Sequence, residues 1–290
     1  MNASTVTIHE LMAWELDEYP YRDSGTDLTR EQLSDKGDRA KQTVTERAEH
    51  ELSSAFLHAE TARIQHLLDD HAQRRELRRE YDGLDWTIGV VDLRRLLAFQ
   101  RRLVFDIEFQ LLDIPQQDDW PALLSFSFGQ ARSTKYKMTV HEIDRQLCGL
   151  TLQSRNPDLQ LRPIPDSELH ESLPFSLFGG SPFFEVAEFR ERWFLRDGYH
   201  RAYRLLQAGV NHLPAVVIHA RTIDEVGATQ PWFFNEEQLF SAHPPRVADF
   251  LEESLVLHYK RPQLMKTISI RIEESLQAFN GAEEVQGDEQ

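Results

Sequence analysis

The segment Trp193–Ala220 constrains the fold of this chain more than any other part of the sequence. A strand-like run leads to Gly198, and the residues after this glycine have the apolar spacing of a helix. Gly209 is a typical helix stop, and the apolar run Leu213–Ile218 favours a second strand. We therefore predict a strand–turn–helix–strand unit.

The turn of this unit carries residues that suit an anion. A helix that begins at a glycine presents unpaired backbone amides and the positive end of its dipole, and Gly198 lets a ligand approach the backbone. His200 and Arg201 add donors, and a guanidinium binds phosphate oxygens in pairs. A structural alternative stays open, in which Asp197 caps the helix, His200 is satisfied within the fold and Tyr199 packs rather than stacks on a ring.

The same residues resemble those of the ParB/sulfiredoxin superfamily. The match covers Phe194–Arg201, which contains the turn D-G-Y-H-R, then the Ala208-Gly209-Val210 turn and the strand Leu213–Ile218. The resemblance implies a compact nucleotide-binding fold in which this turn grips the phosphates of ATP, ADP or CTP.

Transferred to this chain, the resemblance makes Gly198, Tyr199, His200 and Arg201 the phosphate-binding residues, with Asp197 shaping the turn. Tyr199 stands where the catalytic cysteine of sulfiredoxin would fall, so we do not expect sulfinic-acid reductase activity. No helix-turn-helix pattern follows the motif, as it would in chromosome-partitioning ParB proteins.

An early strand forms the other side of the pocket in this superfamily, and Thr87–Leu93 is the weaker match for it. This strand adds Asp92 as a second candidate catalytic carboxylate beside Asp197. The two half-motifs lie about 100 residues apart, so we predict an insertion near 115–180 that forms a lid or a substrate wall.

Two functions follow from this interpretation. The first is a nucleotide-dependent phosphotransferase or nucleotide hydrolase that uses Asp197 or Asp92, with Mg²⁺ to neutralise the phosphates. The alternative is a nucleotide-gated protein-interaction module without catalysis. A ParB-like nuclease ranks last, because the sequence has no clustered metal ligands and the net charge of −16 disfavours DNA. Glu185, Glu188 and Glu191 are further carboxylates near the motif.

The remaining elements are predicted from periodicity. Helical spacing over 35–81 predicts a long amphipathic helix, continuous or broken once, whose apolar stripe packs on the second half of the protein or docks a protein partner or a second copy. We also predict a strand over Trp86–Val91, strands over Leu255–Tyr259 and Lys266–Arg271, and helices near Ile8–Glu15, over Asp92–Phe105, near Cys148 and over Pro245–Glu253.

We predict an α+β or α/β fold, a ParB/sulfiredoxin-like mixed sheet with packed helices behind a long helical N-terminal arm. Its parts are the arm (1–82), the ParB/sulfiredoxin-like domain (83–222), a C-terminal α/β extension (223–280) and a disordered acidic tail (281–290).

Bulk properties add the expected environment. The one cysteine excludes an internal disulfide framework and favours a reducing compartment. The acidic N-terminus lacks the basic region of a secretory signal, and no apolar run approaches the roughly 20 residues of a membrane span. We therefore expect a cytoplasmic protein that binds a nucleotide and neither DNA nor a membrane.

Overall fold

The computed structural model describes residues 5–105, 113–129, 135–143, 146–163, 175–273 and 275. The helices are α1 (Pro20–Gly25), α2 (Arg30–Thr45), α3 (His58–Arg63), α4 (Gln65–Ala72), α5 (Arg75–Glu80), α6 (Trp120–Phe128), α7 (Tyr199–Gln207), α8 (Ile223–Val226) and α9 (Glu236–Leu239). The strands are β1 (Thr5–Leu11), β2 (Trp86–Asp92), β3 (Arg102–Phe105), β4 (Lys137–Ile143), β5 (Gln146–Ser154), β6 (Gln160–Pro163), β7 (Phe175–Phe178), β8 (Glu185–Phe189), β9 (Arg192–Asp197), β10 (His212–His219), β11 (Val256–Pro262) and β12 (Lys266–Arg271).

The chain is a mixed α/β protein, as predicted, and divides into two compact units. The larger unit contains Met1–Arg132 and Ser181–Gln263, and the smaller contains Ser133–Gly180 and Leu264–Gln290. The predicted acidic tail (281–290) lies outside the described residues. In the described part of the chain, each helix falls short of the length and apolar content that a bilayer span requires.

The larger unit is built on a four-stranded mixed sheet in the order β2-β10-β8-β9. β10 is antiparallel to β2 and parallel to β8, and β8 and β9 form an antiparallel hairpin. Helix α6 packs on β10 and α3 packs on β2. A second sheet of this unit has the order β11-β1-β3, and all three of its strands are antiparallel.

The predicted strand–turn–helix–strand unit is confirmed as β9, α7 and β10. Gly209, at a φ of 78°, follows the helix in the left-handed conformation that a stop of this kind requires. The predicted strands over Trp86–Val91, Leu255–Tyr259 and Lys266–Arg271 are also confirmed, within one to three residues at their ends.

The prediction of one long helix over 35–81 is wrong. The helix α2 ends at Thr45, and the chain then runs extended along the free edge of β2, where the Leu57 amide donates to the Val90 carbonyl (2.8 Å) and the Asp92 amide to that of Ala55 (2.8 Å). Pairing with a sheet edge overrides the local helical spacing. Three short helices complete the region.

The apolar stripe of this region is covered by the chain itself. The stripe residues that pack in the core are buried, namely Val44, Ala55, Ile64, Leu68 and Leu77. Leu52, with 58% of its surface exposed, is the exception among the large apolar residues there. The region therefore offers no continuous apolar helix for the partner or second copy that the sequence suggested.

Four shorter helix predictions also fail because long-range strand pairing determines the backbone. Ile8–Glu15 begins within β1, which ends at Leu11, and Cys148 lies within the β4–β5 hairpin. Asp92–Phe105 keeps one 3₁₀ turn (Leu93–Arg95) before β3, and 245–253 keeps one 3₁₀ turn (Val247–Leu251).

Candidate functional site

The turn between β9 and α7 strongly favours a glycine. Gly198 has a φ of 102°, and a Cβ there would lie 2.6 Å from the ring of the buried Phe184. Gly198, at the start of α7, has no side chain to cap the first turn. The local sequence therefore produces the bend that the motif predicts, with the aromatic ring of Phe184 packed directly on it.

Tyr199, the first residue of the helix, belongs to the core. Its side chain is buried, and its hydroxyl accepts a hydrogen bond from the Phe99 amide (2.9 Å). Burial raises the pKa of this phenol above its ordinary value. Of the two roles that the sequence left open, Tyr199 takes packing, because its ring meets Phe99 edge-on at 5.7 Å between centroids.

His200 connects the helix to the second sheet. Its Nε2 lies 2.8 Å from the carbonyl oxygen of Val104 in β3, and its ring lies 5.4 Å from that of Phe105. The imidazole is thus satisfied by the fold and holds α7 against the β11-β1-β3 sheet.

Arg201 cross-links three backbone segments. Its Nη2 donates to the Phe183 carbonyl (2.6 Å), and its Nη1 donates to those of Pro182 (3.0 Å) and Phe126 (3.3 Å). Its side chain is 17% exposed, and Asp197 Oδ1 lies 3.8 Å from Nη2. The guanidinium therefore donates hydrogen bonds to the end of α6 and to the chain that enters β8.

The two candidate catalytic carboxylates are not brought together. Asp197 ends β9 with 41% of its side chain exposed, whereas Asp92 ends β2, and β10 and β8 lie between these strands. Asp92 is buried and receives two hydrogen bonds from the Arg94 guanidinium (2.9 and 2.8 Å). Burial raises the pKa of Asp92, but the bonds from Arg94 outweigh it and hold that pKa below its ordinary value.

Two of the other three acidic candidates are also engaged, and the third, Glu191, is exposed. Glu185 is buried, accepts a hydrogen bond from the Tyr81 hydroxyl (2.7 Å) and forms an ion pair with Arg196 (2.5 Å). Glu188 lies 3.1 Å from His219 Nδ1. Among the residues that the structure describes, no three histidine, cysteine or acidic side chains are grouped so that they could hold a metal ion.

A cluster of ionisable groups that the sequence did not indicate lies beside the motif helix. His9 of β1 faces His258 of β11, with ring centroids 4.2 Å apart, and Tyr203 of α7 lies 5.7 Å from His9. Burial, with a smaller effect from His258, lowers the pKa of His9 to about 4. The signal available in the sequence was the alternation of Val6, Ile8 and Glu10, which predicts a strand with His9 on its other face.

The larger unit also has an open groove of about 710 Å³ between α4 and α6. Its lining is mixed, with apolar residues such as Leu67, Leu124 and Phe128 beside the polar residues His71 and Arg74. Arg74 donates to the Phe128 carbonyl, so this arginine, like Arg201, stabilises the end of α6.

Comparison with protein-family profiles, with curated proteins and with solved structures finds no match for this chain.

Proposed function

We propose that this chain is a nucleotide-binding protein whose ParB/sulfiredoxin-like unit (83–222) receives the phosphates of ATP, ADP or CTP at the first turn of α7. The observation that carries the proposal is the start of this nine-residue helix at Gly198, a residue that has no side chain to cap it. Backbone amides at such a start, together with the helix dipole, favour an anion. The strand–turn–helix–strand order supports the same assignment.

The roles of the motif residues then differ from simple phosphate contacts. The ring of Phe184 fills the Cβ side of Gly198, so a phosphate would approach along the helix axis rather than from that side. Arg201 would contribute its positive charge while its donors hold the Phe183 carbonyl. His200 and Tyr199 would keep the turn in place, and Asp197 would be the acidic side chain nearest to a Mg²⁺ ion carried by the nucleotide.

We favour the nucleotide-gated binding module over the phosphotransferase or hydrolase. Phosphoryl transfer needs a carboxylate that orients or deprotonates the acceptor close to the phosphates. Asp92 is committed to Arg94 on a strand that does not neighbour β9, and Glu185, which lies opposite Asp197 in the β8–β9 pair, is committed to Tyr81 and Arg196. Of these three described carboxylates, Asp197 is therefore the candidate for the turn. A cytoplasmic location belongs to this proposal, because nucleotides and reduced cysteines are both found there.

Thermal unfolding with a panel of nucleotides, with and without Mg²⁺, tests the proposal, because a ligand of the folded state raises the melting temperature. We expect a shift with at least one nucleotide and a smaller shift in Arg201→Met, which removes the positive charge, with each shift taken from the variant's own melting temperature without nucleotide. Arg221→Met, which removes an exposed arginine away from the turn, is the matched control.

Two outcomes decide between the alternatives. If no nucleotide raises the melting temperature of the wild type, and calorimetry detects no binding, the nucleotide assignment is wrong. If a bound nucleotide is also hydrolysed, and Asp197→Asn abolishes phosphate release without weakening binding, the enzyme replaces the module.

A further inference from the structure

The smaller unit contains an antiparallel sheet with one apolar face, in the order β12-β5-β4. Its register places Met138 opposite Leu152 and Leu152 opposite Ile268, and places Val140 opposite Leu150 and Leu150 opposite Ile270. Residues directly opposite each other in an antiparallel sheet share a face. The other face is polar, with Lys137, Thr139, His141, Thr151, Gln153, Thr267 and Ser269.

The apolar face is most exposed at β4. Met138 is 56% exposed and Val140 45%, whereas Leu152 in the middle strand is 3% exposed. β4 is an edge of this sheet, and no described strand pairs with its outer side. An edge strand with exposed apolar side chains is a template for pairing with another strand.

The sequence of β4 is complementary to itself. The pairing of β4 with β5 shifts between His141 and Glu142, so the regular part of the strand is 137–141, and its midpoint is Thr139. An antiparallel pair of such strands centred on Thr139 places Met138 opposite the second copy's Val140, twice by symmetry. On the polar face it places Lys137 opposite His141. Over 137–141 this pairing sets no lysine against a lysine and no acidic side chain against another.

The register centred one residue later in the chain is worse. A pair centred on Val140 would place Met138 opposite Glu142, which sets an apolar side chain against a carboxylate, and would run through the irregular part of the strand. A pair centred between two residues would set the apolar face of one copy against the polar face of the other, because side chains alternate with a period of two.

We propose that two copies of this chain associate through β4, antiparallel and centred on Thr139, to form a six-stranded sheet with a continuous apolar face. The contact is small, so the expected species is a concentration-dependent dimer rather than a permanent one. Each copy carries a net charge of −16, so the copies repel at long range. Added salt should therefore strengthen the dimer.

Sedimentation velocity over a wide range of concentration and salt tests the proposal with the full chain. We expect the wild type to shift from monomer to dimer, and Val140→Lys to stay monomeric at every concentration. Leu264→Lys is the matched control, because Leu264 has the same 45% exposure but lies outside β4. It should dimerise as the wild type does, and circular dichroism should show that both variants are folded.

Cross-linking tests the register. With the chain's one cysteine removed (Cys148→Ser), Thr139→Cys places two cysteines at the symmetry axis, at the 4.5–5.5 Å Cα separation of an opposed strand pair, roughly the distance that a disulfide spans. Lys137→Cys places them four residues out of register, about 13 Å apart. We expect a covalent dimer from the first alone.

Three outcomes would overturn the proposal. They are a wild type that stays monomeric in high salt, a dimer that Val140→Lys does not disrupt, and equal cross-linking at positions 139 and 137. The first would mean that β4 is covered by another part of this chain or serves a different partner.

Discussion

The Nη2 of Arg201 lies 2.6 Å from the carbonyl oxygen of Phe183, the residue that precedes the aromatic ring packed on Gly198. The same guanidinium also holds Pro182 and Phe126. Arg201 thus joins α7 to the end of α6 and to the entry of β8, so the residue expected to grip a ligand is also a structural cross-link.

Replacing Arg201 with Met should destabilise the protein by about 1–3 kcal/mol, because mostly buried carbonyls lose their donors. Arg221→Met removes an exposed arginine paired with Glu225 and should cost clearly less than Arg201→Met, because solvent screens an exposed pair. Urea unfolding gives both free energies. Equal losses in the two variants would mean that the three carbonyl contacts do not stabilise the fold.

Alanine at Gly198 should be much more costly than alanine at Gly209. Both glycines have left-handed backbone conformations, with φ of 102° and 78°, so both substitutions carry the strain of that conformation. A Cβ at Gly198 also meets Phe184 at 2.6 Å, whereas a Cβ at Gly209 meets nothing within 4 Å. The difference in unfolding free energy therefore isolates the steric contact, which we expect to cost about 1–3 kcal/mol.

Adding Phe184→Leu provides the check on this interpretation. The smaller side chain relieves the contact, so Gly198→Ala should cost less in the Phe184→Leu background than in the wild type. Identical costs in both backgrounds would show that Phe184 does not restrict the turn.

The sequence predicts the motif unit well because its signals are local. Gly198 and Gly209 mark the two ends of α7, and Leu213–Ile218 has the apolar composition of a buried strand. The helix predicted after Thr45 is wrong because the structure of this segment depends on β2, which lies about forty residues further along the chain. Local spacing contains no information about that pairing.

The candidate site shows the same limit at the level of side chains. The identity of Arg201 is compatible with a ligand or with carbonyl oxygens, and only its neighbours Phe126, Pro182 and Phe183 show which contacts it makes. Asp92 was joined to the site by resemblance, but strand order separates it from Asp197. Strand order is a property of the whole sheet and cannot be read from either motif.

Glu10→Gln should be strongly destabilising. Glu10 is 1% exposed, and its carboxylate pairs with Arg22 (2.7 Å) and Arg102 (2.8 Å). Removing one partner from a buried ionic cluster leaves charge uncompensated, which typically costs about 3–5 kcal/mol. The midpoint of urea unfolding measures this loss.

Arg30→Gln is the control for a charge pair in solvent. Arg30 is 92% exposed on its side chain and lies 3.8 Å from Asp23, so its removal should change the unfolding free energy by less than about 0.5 kcal/mol. A Glu10→Gln variant as stable as Arg30→Gln would contradict the claim that the Glu10 carboxylate compensates the buried charges of Arg22 and Arg102.

Stability should fall with acid in a window set by His9 and His50. In the folded protein the pKa of each is lowered to about 4, mainly by burial, from an ordinary value of 6.5. Between these values the unfolded chain binds more protons than the folded one. The free energy of unfolding therefore has its full value above about pH 6.5 and decreases toward pH 4. His9→Phe keeps an aromatic ring against Phe105 but cannot be protonated, so its stability should decrease less over this window.

Urea unfolding across the window measures both slopes, and His66→Phe, at an exposed position of α4, controls for the loss of a surface histidine. A His9→Phe variant with the wild-type slope would mean that His9 stays as easily protonated in the folded protein as in the unfolded chain, and that His50 or other groups govern the acid sensitivity.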